Sequence, residues 1–121
     1  MLLAHAVAVV HAAAVVLMLT GALVALRLPR VLLVHAPLSA AILGVALAGA
    51  DCPLTTLEAA LRDRAGGPAL QGGFLGHYAL GPLGVEVASP TTQACIVAVA
   101  VLPNALGYGL LAARRLRPAA G

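Results

Sequence analysis

Three long runs of apolar residues, separated by more polar segments, set the pattern of the chain. Residues 2–26, 31–49 and 90–113 contain no Asp, Glu, Lys or Arg. An α-helix of about 20 apolar residues crosses the roughly 30 Å hydrocarbon core of a bilayer. The pattern therefore predicts three transmembrane helices over these ranges, with a loop of residues 50–89 before the third.

Prolines and polar residues mark where these helices begin and bend. Ser89 is a favourable N-cap, and Pro90 suits the first position of a helix. Pro37 leaves a carbonyl one turn earlier without its donor, which predicts a bend in the second span. Asn104, directly after Pro103, is interpreted as a polar side chain that bonds across helices at a second bend.

The loop of residues 50–89 contains the pattern T-x-x-E, from Thr55 to Glu58, which is typical of a capping box. It predicts an amphipathic helix over residues 56–65 that lies along the membrane surface, with Glu58 and Arg62 paired one turn apart. We expect Cys52, Thr55 and Glu58 to clamp this helix against the mouth of the bundle. The leucines expected to face lipid or the second span are Leu54, Leu57 and Leu61.

Residues 74–88 are apolar but too short to cross the membrane, and they carry His77 and Glu86. We interpret them as an interfacial or re-entrant segment. The whole chain, with room for one domain, is therefore predicted to be an all-α integral membrane protein. It would consist of three transmembrane helices, an external interfacial amphipathic helix and this short segment.

The composition supports a membrane protein and argues against nucleic-acid binding. Hydrophobic residues make up 62% of the chain and charged residues 9%, against about 25% charged residues in a soluble domain. The net charge of +3 comes from arginines that flank the apolar runs and form no basic stripe. No basic residue precedes the first run, so we expect a retained span there and no cleaved signal peptide.

The arginines predict the orientation of the spans. Arg27 and Arg30 lie between the first two spans, and Arg114, Arg115 and Arg117 follow the third. With three spans, all five lie on one side of the membrane, which the positive-inside rule makes the cytoplasm. We therefore expect a protein of the bacterial cytoplasmic (inner) membrane, with its N-terminus and loop outside and its C-terminus inside.

Small residues are spaced so that helices can approach closely. On the second span, Ala40, Gly44 and Ala48 form a row that we expect to support helix packing. On the first span, one face should turn towards the bundle and carry His11 inwards. The residues of that face are His11, Ala14, Met18, Gly21, Ala22 and Ala25.

The loop gathers side chains that are able to bind a metal ion. Cys52, Glu58 and His77 offer a thiolate, a carboxylate and an imidazole. His11 lies about 14 Å along the first span from its outer start, within reach of a re-entrant segment, and Tyr78 is a further polar candidate. No tight ligand spacing such as H-x-x-x-H is present, which favours a structural interpretation, with Thr55 and Glu58 as helix caps, Cys52 packed and His77 bonded to loop backbone.

His11 and His35 lie inside spans, where ionisable residues are costly and indicate function by default. For His35, the favoured interpretation is a structural hydrogen bond to Ser39, one turn later, or to a backbone carbonyl. A haem held by the two histidines is an alternative, although their levels in the membrane differ by about 10 Å. Asn104 and Tyr108, one turn apart, could share a bond.

The two cysteines, Cys52 and Cys95, form no C-x-x-C motif, which argues against zinc-ribbon and thioredoxin-type sites. Both fall near the outer ends of spans, so the geometry allows a disulfide between them. The other interpretation is that each is a small buried hydrophobic residue.

Three short stretches carry a resemblance to a known family. CPLTTLE (52–58), RAGG (64–67) and GGFLGHY (72–78) resemble the pattern C-P-L-T-P-L-E, R-x-G and G-G-F-x-E-H-Y of small bacterial membrane proteins catalogued as domain of unknown function 2784. The resemblance implies a multi-span helical membrane protein and supplies no established activity. Further points of similarity are His11, the R-x-P-R turn at 27–30, the H-x-P at 35–37 and the arginines after the last span.

The chain departs from the family pattern at two positions. Thr56 stands where the family has its second proline. We therefore expect the first turn of the helix after the Thr55 cap to be somewhat less preorganised, and no reactive group to be lost. Gly76 stands where the family has a Glu before His-Tyr. A site that used this Glu as a ligand or a base would lack it here.

Two hypotheses of function follow from the sequence. The first is a non-catalytic accessory or assembly subunit whose external loop binds a membrane protein partner or a second copy of the chain. It rests on the short length, the absence of a known catalytic motif and the small-residue helix faces. The alternative is a metal- or haem-binding redox or enzymatic membrane protein, with its site at the outer membrane interface.

Overall fold

The computed structural model describes residues 1–117, and this part of the chain is all helical with no strand. The helices are α1 (Leu2–Val24), α2 (Leu32–Leu47, preceded by a 3-10 turn at Pro29–Val31), α3 (Pro53–Arg64), the single turn α4 (Gly73–Leu75) and α5 (Pro90–Leu116). The segments long and apolar enough to cross a membrane are Leu2–Val24, Pro29–Leu47 and Pro90–Leu116. Three such helices are therefore confirmed, each within three residues of its predicted ends.

α1 is the central helix of the bundle, because α2, α3 and α5 all pack against it. Its less exposed positions are spaced alternately by four and three residues, the period that keeps one helix face against its neighbours. They are Ala4, Ala8, His11, Ala22 and Ala25, with Val15 and Met18 partly buried between them. Most are small, so neighbouring backbones approach closely, as predicted for this face.

α5 runs parallel to α1. Gly107 lies against Ala22 so closely that a Cβ on this glycine would be 2.7 Å from the Cβ of Ala22. Arg114 Nη1 donates to the carbonyl oxygen of Leu26 at 2.8 Å, just beyond the end of α1. Both contacts join the C-terminal parts of the two helices, which fixes their relative direction.

The two ends of the bundle differ in their polar residues. Arg27 and Arg30 follow α1, and the arginines at the end of α5 meet them there through the bond from Arg114 to Leu26. We call this the arginine end. The opposite end carries residues 50–89 and is called the loop end.

The small-residue row of α2 faces outwards in the described chain. Ala40, Gly44 and Ala48 are all exposed, and a Cβ on Gly44 would meet no atom within 4 Å. The expectation that this row supports packing is wrong for a single chain. The physical reason is that the face of α2 that carries His35 packs towards α1. The row lies on a different face of α2 and is therefore left outside.

α3 begins three residues earlier than predicted, and the capping box does not form. Cys52 is the N-cap residue, with an extended backbone (φ −60°, ψ 127°), and Pro53 occupies the first helical position. Thr55 is therefore inside the helix, and the Glu58 carboxylate binds side chains, so the predicted clamp of Cys52, Thr55 and Glu58 is wrong. The Cys-Pro pair decides the start, because proline suits the first helical position and keeps the residue before it extended.

Residues 73–83 form three short turns within the segment predicted to be interfacial or re-entrant. After α4 the chain continues as a π-helical turn, Gly76–Leu80, and a 3-10 turn, Gly81–Leu83. Gly72 precedes them and Gly73 is their first residue, with φ values of 69° and 70°. Glycine adopts this left-handed conformation at little cost, so the pair lets the chain reverse tightly into the segment.

The start of α5 agrees with the sequence. The amide of Thr92 donates to Ser89 Oγ at 3.1 Å, and Pro90 is the first helical residue. Pro37 and Pro103 lie inside α2 and α5, and both helices continue past them.

Candidate functional site

The loop end contains an ionic cluster of two buried residues, Glu58 and Arg62, and the exposed Tyr78. Glu58 and Arg62 lie one turn apart on α3 and are 0% and 3% exposed. Arg62 Nε donates to Glu58 Oε1 at 3.0 Å, and the Tyr78 hydroxyl donates to the same oxygen at 2.6 Å. The pairing on α3 follows from the sequence spacing. The extra hydrogen bond from Tyr78 helps to offset the cost of burying the charges.

The ionic cluster changes the acid–base properties of its members. Loss of solvent around the hydroxyl and the hydrogen bond to Glu58 raise the pKa of Tyr78. Burial alone would lower the pKa of Arg62, but its hydrogen bonds with Glu58 and Tyr78 outweigh that effect and raise it. At neutral pH the cluster therefore contains a neutral phenol beside a charged guanidinium.

Arg62 connects α3 to the rest of the loop. Its Nη1 donates to the carbonyl oxygen of Pro68 at 3.5 Å, and its Nη2 contacts the Tyr78 hydroxyl. The guanidinium carbon also lies over the Tyr78 ring, 5.6 Å from its centroid. A clamp therefore exists at the loop end, but its members are Glu58, Arg62 and Tyr78.

A second group, the thiol–imidazole pair of Cys52 and His11, joins the start of α3 to α1. Cys52 Sγ and His11 Nε2 are 3.7 Å apart, within hydrogen-bonding distance for sulfur. His11 is 7% exposed, and Cys52 is a half-buried free thiol. The structure thus brings together two of the four residues that the sequence offered as metal ligands.

Two buried polar atoms next to this pair have no hydrogen-bond partner within residues 1–117. They are His11 Nδ1 and Glu58 Oε2, and Glu58 lies close enough to His11 for its charge to act on the imidazole. When His11 Nε2 accepts the thiol proton, Nδ1 carries the ring hydrogen and is a donor. A thiol, an imidazole and a carboxylate are thus found in one region of the loop end, and within residues 1–117 no hydrogen bond joins the carboxylate to the imidazole.

Phe74 fixes the ring of His11 from the loop side. The two rings stack with centroids 4.0 Å apart and planes at 24°, and Phe74 in turn lies 5.0 Å from the ring of Tyr78. The short segment that starts with α4 therefore reaches the third turn of α1. No spacing in the chain indicates this contact of Phe74, which is the single Phe of the chain.

His77 lies apart from the thiol–imidazole pair. Its ring meets the Tyr78 ring edge-on, with centroids 4.8 Å apart. Among residues 1–117, no group of three or more His, Cys, Asp or Glu side chains is placed to hold a metal ion. A metal site of Cys52, Glu58, His77 and His11 therefore stays a prediction that the arrangement of donors does not by itself support.

The two cysteines are both free thiols in the structure. Cys52 faces His11 at the loop end, whereas Cys95 is exposed on α5. The disulfide that the sequence allowed is not formed here, and Cys95 is a natural reference for the chemistry of Cys52.

A third polar group ties the three long helices together around His35, which is 0% exposed. His35 Nδ1 is 2.8 Å from the Tyr108 hydroxyl, and Nε2 is 3.1 Å from the Met18 carbonyl oxygen and 3.2 Å from Ser39 Oγ. Because a carbonyl only accepts, Nε2 carries the hydrogen and Nδ1 accepts from Tyr108. The structural interpretation of His35 is confirmed, with both expected kinds of partner present.

Asn104 links α5 to α1, as expected for a polar residue beside Pro103. Its Nδ2 donates to the carbonyl oxygens of Met18, at 2.9 Å, and Ala100, at 2.7 Å. Tyr108 does not share this bond, because its hydroxyl lies against His35.

Comparison with known proteins identifies the family. The model of a family described as "Protein of Unknown function (DUF2784)" matches residues 1–109. The chain belongs to the DUF2784 family. No protein of curated function and no solved structure matches it significantly. The resemblance drawn from the three short stretches is confirmed, and the match covers every element described above except the end of α5.

In this DUF2784 protein, the stretches that carried the resemblance supply the loop end. CPLTTLE contributes Cys52 and Glu58, and GGFLGHY contributes Phe74 and Tyr78. Four loop-end residues therefore lie in the stretches that mark the family resemblance, whereas His11 and Arg62 lie outside them.

The two departures from the family pattern are accommodated locally. Thr56 is the fourth residue of α3, and its amide and hydroxyl both donate to the Cys52 carbonyl oxygen, at 3.0 and 2.9 Å. The expectation that this position follows a cap is therefore wrong. Gly76 is buried, and a Cβ there would lie 2.8 Å from Gln71 O and 3.0 Å from Val87 Cγ2, so a Glu at 76 would require the loop backbone to shift.

Proposed function

We propose that this DUF2784 protein carries thiol-dependent chemistry at its loop end, with Cys52 as the nucleophile and His11 as its base. The proposal rests on the separation of 3.7 Å between Cys52 Sγ and His11 Nε2. A thiol reacts as its thiolate, and an imidazole within hydrogen-bonding reach is able to take its proton. The proposal sharpens the enzymatic alternative drawn from the sequence.

Neighbouring residues support the proposal because they hold the pair in a fixed geometry. Phe74 stacks on the His11 ring, and the buried carboxylate of Glu58 offers an unpaired oxygen near it. The ionic cluster fixes Glu58 through Arg62 and Tyr78. A base whose ring is held in place transfers a proton without first paying the entropy of being ordered.

Metal or haem binding has less support from the arrangement of donors. Protein zinc sites use three or four protein ligands, whereas the thiol–imidazole pair offers two. A haem held between His11 and His35 needs a free nitrogen on each ring, and both nitrogens of His35 are engaged in hydrogen bonds.

Alkylation of the two thiols by iodoacetamide tests the proposal. The Cys95→Ser variant isolates Cys52, and the Cys52→Ser variant isolates Cys95. In detergent at pH 7, His11→Phe should slow alkylation of Cys52 by about tenfold or more, because the base is lost, while the ring that stacks on Phe74 is kept. The rate at Cys95 should not change, which reports that the fold is intact.

Equal rates of Cys52 alkylation with and without the His11 imidazole would contradict the proposal. A loss of rate at both cysteines would indicate a change of fold, and His11→Gln then provides a second variant with a smaller side chain. Metal analysis of protein from its native host decides the alternative, since a bound metal that is lost in Cys52→Ser would favour the metal hypothesis.

A second candidate function is the accessory or assembly subunit. It is favoured by the exposed apolar surface of the long helices. The unpartnered row of Ala40, Gly44 and Ala48 on α2 is part of that surface. A partner that co-purifies in mild detergent and is released by Gly44→Leu would support it, whereas a stable monomer without a partner would count against it.

The orientation in the bacterial cytoplasmic membrane, with the loop end outside, is also part of the proposal. It is supported by the clustering of the arginines at the opposite end. In a background without native cysteines, Leu70→Cys should react with an impermeant maleimide from outside intact cells, and Leu116→Cys only after lysis. Labelling of both from the same side would contradict the three-span arrangement.

A further inference from the structure

An apolar cavity of about 350 Å³ opens beside Cys52. α2 and the first turn of α3 form its walls, with Leu38, Ile42 and Leu54 among the lining residues, and Cys52 supplies the one polar side-chain atom in that lining. The α2 wall from Leu38 to Ala46 is about 12 Å long. Cavities of roughly this volume hold small molecules, and this one suits a hydrocarbon chain whose reactive end meets the thiol.

The start of α3 presents hydrogen-bond donors beside the same thiol. Cys52 is the N-cap of this helix of twelve residues, and its side chain caps no amide. In the part of the chain that the structure describes, no hydrogen bond occupies the amides of Leu54 and Thr55, whereas that of Thr56 is bonded to Cys52 O. Free amides at a helix N-terminus stabilise negative charge, including the oxyanion of a tetrahedral intermediate.

The imidazole of His11, the proposed base, also faces the thiol of Cys52. His11 is more than nine-tenths buried, its Nε2 faces Cys52 Sγ, and its Nδ1 has no partner among the described residues. The thiol therefore lies between a buried imidazole, two free amides and an apolar cavity. The imidazole serves the proton transfer, the two amides bind the carbonyl oxygen of the substrate, and the cavity holds its hydrocarbon chain.

We infer that Cys52 accepts a fatty acyl group from an ester of a membrane lipid and holds it as a thioester, with the acyl chain in the apolar cavity. The inference rests on the proposed function and names its substrate class. An ester carbonyl is the electrophile that matches a thiol nucleophile flanked by amide donors. The thiol lies at the level of His11, about 14 Å along α1 from its start, so the ester end of the lipid would enter the bundle from the loop end.

The step is an acyl transfer in which atoms balance. The Cys52 sulfur attacks the carbonyl carbon, its proton passes to His11 Nε2, and the amides of Leu54 and Thr55 bind the oxyanion. The carbon–oxygen bond of the ester then breaks, and His11 returns the proton to the leaving oxygen. The products are a thioester on Cys52 and an alcohol, and no oxidation or reduction takes place.

The probes for the test are p-nitrophenyl decanoate and p-nitrophenyl acetate, used on the full chain in detergent. With Cys95→Ser protein, decanoate should release one equivalent of p-nitrophenol in a burst, and intact mass should show one decanoyl group. The burst should be about tenfold or more faster with decanoate than with acetate, because a longer chain buries more apolar surface. Cys52→Ser should abolish it, and His11→Phe should slow it about tenfold or more.

Two matched variants of α2 distinguish the contribution of the cavity to acylation from that of the thiol. Ala46 lines the cavity, whereas Ala40 is exposed on the same helix and does not. Ala46→Phe should fill the cavity and remove the preference for decanoate, and Ala40→Phe should keep it. Ala40→Phe should also leave unchanged the rate at which iodoacetamide reacts with Cys52.

The outcomes distinguish this inference from the proposed function. If iodoacetamide reacts with Cys52 in a His11-dependent way but neither ester acylates it, the acyl inference is overturned and the thiol chemistry stands. If His11→Phe leaves both reactions unchanged, both are overturned. Acylation that shows no preference for decanoate, or that Ala46→Phe does not alter, removes the role of the cavity and with it the lipid ester as substrate.

Discussion

Gly21 of α1 lies directly against the imidazole ring of His35 on α2. A Cβ on Gly21 would come within 2.7 Å of His35 Cγ and closer still to Cδ2. The ring cannot retreat easily, because both its nitrogens are hydrogen-bonded. Gly21→Ala should therefore lower the free energy of unfolding in detergent by about 1–3 kcal/mol, the cost of overpacking a filled interior.

Gly44→Ala is the matched control for this change. Gly44, like Gly21, lies three residues before the end of its helix, but a Cβ there meets no atom within 4 Å, and alanine favours helix by up to about 1 kcal/mol over glycine. Its unfolding free energy should stay the same or rise. Equal destabilisation by the two substitutions would mean that the contact between Gly21 and His35 is not tight in solution.

The hydrogen bonds of His35 predict unequal effects for two of its partners. Tyr108→Phe leaves Nδ1 buried without a donor and should cost about 1–2 kcal/mol of unfolding free energy. Ser39→Ala should cost less, because Nε2 keeps the Met18 carbonyl as its acceptor. Denaturation in detergent, followed by circular dichroism, measures both. A larger loss for Ser39→Ala would contradict the tautomer assigned here.

The features that could be predicted from the sequence are those with a long-range period or a strong local rule. The three long apolar helices follow from runs of about 20 apolar residues, which few other structures tolerate. Ser89 and Pro90 mark the start of α5 because cap and proline act within a few residues. The inward face of α1 follows from its small residues and places His11 correctly.

The features that could not be predicted depend on contacts between distant segments. The T-x-x-E pattern competes with the Cys-Pro pair three residues earlier, and the proline decides where α3 starts. Arg62 resembles an ordinary surface partner of Glu58 until Tyr78 closes over both. The approach of Phe74 to His11 joins segments more than sixty residues apart, and no local spacing encodes it.

Arg62 should be the most sensitive residue of the loop end. Arg62→Met leaves the Glu58 carboxylate buried with its charge unpaired, which typically costs about 3–5 kcal/mol. Arg64→Met, on the same turn of α3 but exposed, is the control and should change the unfolding free energy little. The double variant Glu58→Gln with Arg62→Met should lose less than the sum of the single losses, since no unpaired charge remains. Additive losses would contradict a coupled cluster.

The raised pKa of Tyr78 predicts how the stability of the loop end depends on pH. Burial of the hydroxyl and its bond to Glu58 raise this pKa above the ordinary value of 10.0, so the folded chain keeps the phenol proton more tightly than the unfolded chain does. The resulting stabilisation is complete below about pH 10 and declines as pH rises from there through the folded pKa, because the unfolded state then binds fewer protons. The neighbouring Arg62 stays charged in this window, its own pKa being raised. Tyr78→Phe removes the titrating group, so the unfolding free energies of wild type and variant should differ by a constant amount from pH 7 to 10 and converge above it. Curves that stay parallel to pH 11 would show that the phenol proton is not held by the ionic cluster.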